Sequence, residues 1–181
     1  MNLQYIVNSF YRSVCYRIDS CTIDPGDSWN EFLNVKTVLL THAHFDHIYG
    51  LNELIANTPE ARIYTNDAGK GMLLNAKKNM SYYHGTPFVF EQPQQIFVVK
   101  DQEEIEIGHG LSAKAIFTPG HNPSCITWVI DNMLFTGDSY IPGIKTVTNL
   151  PGGNKEEAIK SEALIKQLSV DKVIYPGHSI E

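Results

Sequence analysis

Cysteine is scarce in this sequence, and its spacing excludes two kinds of site. The 181 residues contain three cysteines, none of which belongs to a CxxC pair. An odd number without that spacing predicts neither a disulfide framework nor a thiolate zinc site. We therefore expect Cys15, Cys21 and Cys125 to be buried free thiols in a reducing compartment.

The sequence also lacks a long apolar run. No stretch approaches the roughly 18 to 20 apolar residues that a membrane-spanning helix needs. Residues 1–19 mix polar and arginine side chains with apolar ones, so they contain no signal-peptide core. We expect a cytoplasmic protein that has no membrane partner.

Positive charge is the third shortage. Lys and Arg number 14 against 20 Asp and Glu, which gives a formal net charge of −6 with neutral histidine. The longest basic cluster is the pair Lys77 and Lys78, too little to attract a phosphate backbone against the acidic field. Nucleic acid is therefore not expected as a partner. The 43% hydrophobic and 19% charged residues are typical of a globular domain.

Short β-type runs alternate with a few helix signals along the chain. The runs are rich in Val, Ile, Thr and Tyr, which predicts strands at 3–7, 14–18, 21–24, 37–41, 62–65, 96–99, 103–107, 111–118, 125–130, 133–136 and 172–175. Helices are predicted at 48–57 and 67–77, and capping-box patterns predict two more after Ser28 and Asn154. The mixture indicates an α/β or α+β fold with sheet packed under helices. Residues 78–95 form a long irregular excursion, which often serves as a lid or pocket wall.

A cluster of histidines follows the fourth predicted strand. His42, His44 and His47 lie within six residues, together with Asp46. Such a concentration is foreign to a hydrophobic core, and closely spaced His and Asp residues are typical of a metal site. In an extended segment His42 and His44 project to the same side, because side chains alternate with period two. Asp46 and His47 follow a turn into the next helix, so this segment can supply two adjacent metals.

Three further candidate ligands share one local design. His121, Asp138 and His178 each follow an apolar strand and a glycine, which lets the backbone bend at the rim of a sheet. We expect them to meet the histidine cluster in one cleft. The remaining histidines, His84 and His109, are interpreted as structural or solvated residues.

These motifs carry a resemblance to a known family. The H-x-H-x-D-H segment, followed in order by Gly-His, Gly-Asp and a second Gly-His, resembles the metallo-β-lactamase fold superfamily, and within it the glyoxalase II-like hydrolases. The resemblance implies a single αββα sandwich over residues 1–181, an α/β (α+β) arrangement in four layers with the metal site at one edge between two sheets. Asp24 begins a turn similar to the family's Asp-Pro-Gly turn, which lies near the site without ligating.

The resemblance also implies ligands for two divalent cations. The first cation would be held by His42, His44 and His121, the second by Asp46, His47 and His178, with Asp138 bridging the two. Histidine and carboxylate ligands suit Zn²⁺, which is our expectation, and they also suit Fe²⁺ or Mn²⁺.

Such a site predicts hydrolysis of a small-molecule substrate. Two cations about 3.5 to 4 Å apart hold a water between them, lower its pKa toward neutrality and deliver hydroxide to a bound carbonyl or phosphoryl centre. Asp46 has a second oxygen that can orient this hydroxide or accept a proton, which is a catalytic role. We expect a dinuclear hydrolase of a small ester, a thioester of the hydroxyacylglutathione type, or a lactone.

Several features separate the chain from particular branches of the family. Subclass B1 and B2 β-lactamases use a cysteine near the bridging position, whereas this chain has Asp138 there. The difference argues against antibiotic hydrolysis. Residues 143–146 replace the Gly-Arg-x-Asp segment of the glutathione thioesterase, and the chain ends soon after His178, so that enzyme's helical carboxy-terminal domain is not expected. Lys145 is better interpreted as an exposed lysine than as a carboxylate anchor. Tyr140 is equally compatible with packing and with donation to an oxyanion.

Three alternative functions stay open at this point. A mononuclear iron persulfide dioxygenase shares the first-site residues and Asp138. A phosphodiesterase of the ribonuclease kind shares the complete His/Asp set, but the acidic balance disfavours it. A non-catalytic binding module is disfavoured because no ligand is missing from the motifs.

Overall fold

The computed structural model describes residues 2–27 and 34–179. The strands of this part of the chain are β1 (Leu3–Val7), β2 (Val14–Ile18), β3 (Cys21–Ile23), β4 (Thr37–Leu39), β5 (Arg62–Thr65), β6 (Ile96–Val98), β7 (Glu104–Gly108), β8 (Leu111–Phe117), β9 (Ile126–Ile130), β10 (Met133–Gly137) and β11 (Val173–Pro176). The helices of the same part are α1 (Phe45–Ile48), α2 (Leu51–Asn57), α3 (Asp67–Leu73) and α4 (Lys155–Leu168). Every predicted strand is confirmed, with ends that differ by at most two residues.

The described strands form two mixed sheets. In the first sheet the order is β1-β2-β3-β4-β5-β6, antiparallel as far as β3 and parallel from β3 to β6. In the second the order is β11-β10-β9-β8-β7, where β10 and β11 pair in parallel and the other neighbours are antiparallel. Because parallel neighbours end at the same edge, each sheet presents the ends of several strands together.

The core between the sheets follows the period of two in the strands. In the β4 region Leu39 faces the second sheet, whereas Val38 and Leu40 face the opposite way. Leu39 is buried among inward-facing residues of the second sheet such as Trp128 and Phe135. Alternation thus divides one apolar run between two cores, because each face of the strand has a layer to cover.

Helices cover the outer faces of both sheets. Residues of α2 and α3, including Leu54 and Leu73, pack with Val38 on the outer face of the first sheet. On the second sheet Leu134 is fully buried although its neighbours along β10 face the inner core, and Ile165 of α4 is fully buried as well. The four layers are those of the expected αββα sandwich.

The predicted helix over 48–57 is divided in the structure. The Gly50 N–H donates to the carbonyl of Gly26, and the Asp46 carbonyl accepts a hydrogen bond from Ser13 Oγ at 2.7 Å. In a continuous helix the Gly50 N–H would donate to the Asp46 carbonyl, four residues earlier. Because they pair with the loops beside them instead, α1 ends and α2 begins anew.

The other helix predictions have mixed outcomes. Helix α3 ends at Leu73 rather than at residue 77, because the Asn75 side chain accepts the backbone N–H groups of the two residues after Ala76 and forms a turn. Helix α4 starts where Asn154 caps it, as predicted. The helix predicted after Ser28 lies outside the described residues. Among the described helices, none is long and apolar enough to cross a membrane.

The excursion at 78–95 is fixed to the helical layer by buried polar side chains. Asn79 donates from Nδ2 to the carbonyls of Met72 and Phe88 and accepts the Ser81 N–H. Ser81 Oγ in turn accepts the Phe88 N–H at 2.8 Å. The backbone N–H of Phe45 donates to the Asn79 carbonyl at 2.9 Å, so the excursion is held directly against α1.

The three cysteines are buried free thiols, as expected. Cys15 belongs to the core under the helices and Cys21 to the core between the sheets. Burial raises the pKa of Cys15 and of Cys125 to about 12, which leaves these thiols protonated and unreactive at neutral pH.

The segment after β4 is attached to the second sheet by three hydrogen bonds. The Ile126 N–H donates to the Thr41 carbonyl at 2.7 Å, and Trp128 Nε1 donates to the Leu40 carbonyl at 2.9 Å. The Ala43 N–H donates to Ser124 Oγ at 3.0 Å. These bonds hold residues 40–43 at the edge where both sheets end.

Replacing Trp128 tests this attachment. Trp128→Phe removes the indole donor and leaves the buried carbonyl of Leu40 unpaired, so we expect the free energy of unfolding to fall by about 1 to 3 kcal/mol. Urea unfolding of the two proteins measures the change. Tyr5→Phe removes a polar group from an exposed aromatic side chain and should stay within about 0.5 kcal/mol. Equal losses in the two variants would show that the indole hydrogen bond contributes nothing.

Candidate metal centre

The structure brings together all seven side chains that the sequence identifies as candidate ligands. His42 and His44 follow β4, and α1 carries Asp46 and His47. The other three follow the ends of β8, β10 and β11, and they are His121, Asp138 and His178. The side chains lie at one edge of the sandwich, where they form two groups.

The first group consists of His42, His44 and His121. One nitrogen of each ring lies within 4.8 Å of the others, and His44 Nδ1 is 2.9 Å from His121 Nε2. His121 Nδ1 donates to the carbonyl of Val147 at 2.9 Å, which directs Nε2 of that ring toward the group. His42 Nε2 is buried and has no hydrogen-bond partner in the part of the chain that the structure describes. A buried ring nitrogen without a partner is unusual unless it binds an ion or a water.

Burial keeps His42 and His44 of the first group uncharged. It lowers the pKa of His42 well below the ordinary value, and the positive charge of His47 lowers it further. Burial also lowers the pKa of His44 to about 3, with a further contribution from His121. Neutral imidazoles offer lone pairs, and this is the form in which histidine binds metals.

The second group consists of Asp46, His47 and His178. His47 Nε2 is 3.3 Å from His178 Nε2 and 3.5 Å from Asp46 Oδ2. His178 Nε2 is 3.4 Å from the same carboxylate oxygen. Three potential ligand atoms therefore surround one point.

Residues behind the second group fix its rings. His47 Nδ1 donates to Asp24 Oδ2 at 3.0 Å, and His178 Nδ1 donates to the Tyr11 carbonyl at 2.8 Å. The Asp24 carboxylate also accepts hydrogen bonds from the backbone N–H and the hydroxyl of Thr41. Its oxygens are thereby engaged, and Asp24 orients His47 through the nitrogen that faces away from the group.

Asp138 lies between the two groups. Its Oδ2 is 3.6 Å from His121 Nε2 and 3.2 Å from His178 Nε2, while Oδ1 is 3.7 Å from His47 Nε2. Oδ1 is buried and, within the described residues, accepts no hydrogen bond. The carboxylate is thus in reach of both groups.

His47 of the second group and Asp138 are held in their charged forms. Burial opposes charge on His47, but the carboxylates of Asp46 and Asp24 outweigh it and raise the pKa of His47 to about 10. Burial also opposes the charge of Asp138, yet its hydrogen bond with His178 and the charge of His47 hold its pKa well below the usual range. Burial raises the pKa of Asp46. These carboxylates require positive charge beside them, which a bound cation provides as well as a proton does.

The donors fit divalent cations. Imidazole nitrogens and carboxylate oxygens are ligands of Zn²⁺, Fe²⁺ and Mn²⁺. Two atoms of the candidate ligands, His42 Nε2 and Asp138 Oδ1, have no hydrogen-bond partner among the described residues and are free to bind such a cation. The arrangement is a His/Asp metal-binding cluster.

Glycines are required here mainly by close packing. A Cβ on Gly177 would overlap Asp138 Oδ1, and one on Gly137 would overlap the Thr41 hydroxyl. Gly137 also has a φ of +51°, a conformation that other residues rarely adopt. The sequence pattern predicts that these glycines let the backbone bend at the rim of the sheet. The structure adds that two strand ends could not approach one another with larger residues.

A cavity of about 380 Å³ opens above the cluster. Five of the candidate ligands contribute to its floor, and they are His44, Asp46, His121, Asp138 and His178. Its walls are formed by Tyr11, Phe45, Met80, His84, Val147 and Leu150. A concave, largely apolar site with convergent polar groups is the usual form of a small-molecule site.

His84, interpreted from the sequence as a structural or solvated residue, has a position that this interpretation did not include. His84 lines the cavity, and its ring stacks on Phe45 with centroids 3.9 Å apart. Its sequence neighbours Tyr82 and Tyr83 are exposed and lie outside the lining, so the excursion contributes to the wall through His84 and Met80. The long irregular excursion at 78–95 was itself a signal of a pocket wall, but it did not indicate which of its residues line the cavity.

Two other residues weighed from the sequence lie away from the main cavity. Lys145 lines an adjoining pocket of about 30 Å³. The ring of Tyr140 lies 5.5 Å from the Lys166 ammonium, and neither residue lines the cavity of about 380 Å³. His109 lies in the turn before β8, at the opposite end of that strand from His121.

The family of the chain follows from comparison with known proteins. The model of the metallo-beta-lactamase superfamily matches residues 33–178, which is most of the chain. The chain belongs to the metallo-beta-lactamase superfamily. Its resemblance to glyoxalase II-like members is borne out by the relatives described next.

Two curated relatives of this superfamily member are hydrolases by name. The probable metallo-hydrolase YqgX of Bacillus subtilis is 30% identical over 176 residues, which cover 90% of this chain and 82% of the relative. A hydroxyacylglutathione hydrolase of Tolumonas auensis is 26% identical over 86% of this chain. The match spans only 56% of that relative's own length.

Solved structures of the superfamily share the fold. The B3 metallo-beta-lactamase BLEG-1 superposes with a TM-score of 0.85 at 24% identity, over 98% of this chain and 92% of that one. A di-iron-bound form of TTHA1623 superposes with a TM-score of 0.80 at 18% identity, over 97% and 92% of the two chains. At these identities the likeness establishes the fold alone.

Replacing Asp24 tests its indirect role in the superfamily member. Asp24→Asn removes the carboxylate that accepts the His47 Nδ1 hydrogen, so we expect Zn²⁺ to bind about 10- to 100-fold more weakly. Competition with a chromophoric chelator measures the affinity, and circular dichroism reports whether the fold persists. Asp27→Asn in the same turn changes a carboxylate that bonds Ser9 and should bind Zn²⁺ normally. Unchanged affinity in a folded Asp24 variant would contradict the assignment.

Proposed function

We propose that this protein is a dinuclear metal-dependent hydrolase that acts on small esters, thioesters or lactones. The observation that carries the proposal is the pair of ligand groups with Asp138 in reach of both, beneath a single cavity. We assign Zn²⁺ to the site, with Fe²⁺ and Mn²⁺ as the cations that the same donors would accept.

The proposed ligand assignment follows the two groups. One cation is assigned to His42, His44 and His121, the other to Asp46, His47 and His178, and Asp138 is assigned to both. The partnerless Nε2 of His42 supports the first site. The carboxylate of Asp46, set between two imidazoles, supports the second.

The proposed chemistry divides between the cations and the chain. When bound, two such cations supply Lewis acidity and lower the pKa of a shared water. Asp46 Oδ2 faces His47 and His178, and we assign its other oxygen to accept the proton of the attacking water. Asp24, Tyr11 and Val147 accept hydrogen bonds from the imidazole rings and hold them in position.

The substrate class is supported by the cavity and by the relatives' names. A volume of about 380 Å³ suits a small molecule rather than a polymer. The hydroxyacylglutathione hydrolase among the relatives supports a thioester. A β-lactam belongs in the substrate panel because one structural neighbour is a B3 metallo-beta-lactamase.

Metal content and activity of one variant test the proposal together. We expect the purified chain, loaded with Zn²⁺, to hold two cations and to hydrolyse an acyl thioester, ester or lactone. Asp138→Ala removes the shared carboxylate, so it should hold at most one cation and lose at least about 100-fold in kcat/KM. Asp171→Ala removes an exposed carboxylate that does not line the cavity, and this variant should keep both the metal content and the activity.

Other outcomes of this experiment would overturn the proposal. One tightly held iron, with oxygen consumed in the presence of glutathione persulfide and no hydrolysis, would identify a persulfide dioxygenase. Cleavage of phosphodiesters alone would identify an enzyme of the ribonuclease kind. Full activity of Asp138→Ala would show that the reaction does not need the carboxylate assigned to both cations.

A further inference from the structure

The walls of the cavity have a composition that the proposed hydrolysis does not require. The lining includes the aromatic rings of Tyr11, Phe45 and His84, which contact one another, and the aliphatic side chains of Val147 and Leu150. Among the described residues, no lysine or arginine lines this cavity. The floor can bind a reacting carbonyl, whereas the walls offer an acyl group little besides apolar surface.

The aromatic side is braced into a fixed surface. Phe45 is buried, and its ring contacts His84 in a stack and Tyr11 edge-on at 5.7 Å. The ring centroids of Phe10 and Tyr49 also lie within 6 Å of the Phe45 ring centroid. Tyr11 Oη lies 3.4 Å from His84 Nδ1, within reach of a hydrogen bond that ties the two rim residues together. This aromatic wall comprises Tyr11, Phe45 and His84.

Two basic side chains close to the cavity do not line it. Lys145 lines the adjoining pocket, whose volume of about 30 Å³ is close to that of a single water. The guanidinium of Arg12 donates to Ser179 Oγ at 3.3 Å, and Arg12 does not line the cavity. A carboxylate at the far end of the acyl group, away from the reacting carbonyl, would therefore lose water against the walls without gaining a lysine or arginine partner there, at a cost in free energy.

We propose that the cavity selects substrates whose acyl group is uncharged, apolar and flat, such as an arylacetyl group, held against the aromatic wall in a lining that also includes Val147. This proposal rests on the proposed function and deepens it by naming the acyl class. In the reaction, water adds its oxygen to the carbonyl carbon and the carbon–sulfur bond breaks. The acid is released, and the thiolate takes up a proton. An aryl ring gains stacking energy on the wall that an acetyl group of the same thioester lacks.

A series of thioesters with one thiol tests the selection. The Zn²⁺-loaded protein should hydrolyse the N-acetylcysteamine thioester of phenylacetate with a higher kcat/KM than those of acetate and succinate. Val147→Lys places a cation in the wall, so the succinate to phenylacetate ratio of kcat/KM should rise by about 10-fold. Val170→Lys adds the same charge at an exposed position on the turn after α4 and should leave the ratio unchanged.

A second pair of variants tests the aromatic wall. His84→Ala should raise KM for the phenylacetyl thioester by about 3- to 10-fold and change the acetyl thioester by less than about 2-fold. Tyr83→Ala removes an exposed ring that does not line the cavity and should change neither. Equal effects of His84→Ala on both thioesters, or a preference of the parent protein for succinyl, would overturn the proposal.

Binding of the product acids separates this proposal from the proposed function. Isothermal titration of phenylacetate and succinate into the Zn²⁺-loaded protein needs no turnover. If no thioester is cleaved but phenylacetate binds more tightly and Val147→Lys reverses the order, the acyl selection stands and the hydrolase assignment fails. If thioesters are cleaved while both acids bind equally, the selection fails and the hydrolase assignment stands.

Discussion

The attachment of residues 40–43 to the second sheet is the interaction on which the remaining structure of the site depends. The carbonyls of Leu40 and Thr41 accept hydrogen bonds from β9, so the end of a strand in one sheet is fixed by the other sheet. His42 lies in this segment and His44 directly follows it, whereas the ligands after β8, β10 and β11 follow strands of the second sheet. A shift between the sheets would separate the two sets, and close packing of the inner core resists such a shift.

The electrostatics of the site explain why so many polar groups can be buried together. Isolated imidazoles and carboxylates lose much of their hydration energy on burial, and this cost is recovered only where each group finds a partner. His42 and His44 meet that constraint as neutral imidazoles, whereas His47 meets it as a cation beside the carboxylates of Asp46 and Asp24. Asp24 contributes from outside, because its carboxylate accepts the hydrogen of His47 and also holds Thr41, at the end of the attached segment.

The floor and walls of the cavity come from different parts of the architecture. Strand ends and α1 supply the floor, and their geometry is set by the two sheets. Apart from Phe45 of α1, the wall residues come from the connecting segments around residues 11, 80–84 and 147–150. Segments of this kind can change in sequence without disturbing the sheets, so a shared family chemistry is compatible with different substrates.

Much of the fold and the composition of the site follow from the sequence. The strands were predictable because alternation and β-branched residues act locally, and the seven candidate ligands because His and Asp after apolar strands are rare without a purpose. Helix ends were less accurate: the break at Gly50 depends on its bond to Gly26, and the turn at Asn75 depends on one side-chain amide. Neither partner is visible in a pattern of hydrophobicity.

The sequence by itself determined which residues carry the chemistry and in what order they follow the strands. Only the tertiary structure decided that Asp138 lies in reach of both groups, that Gly177 must be small beside it, and that His84 joins Phe45 at the cavity wall. The physical reason is range. Side-chain periodicity and turn preference act over a few residues, whereas these three contacts join segments brought together by the packing of two sheets and by the buried amide of Asn79.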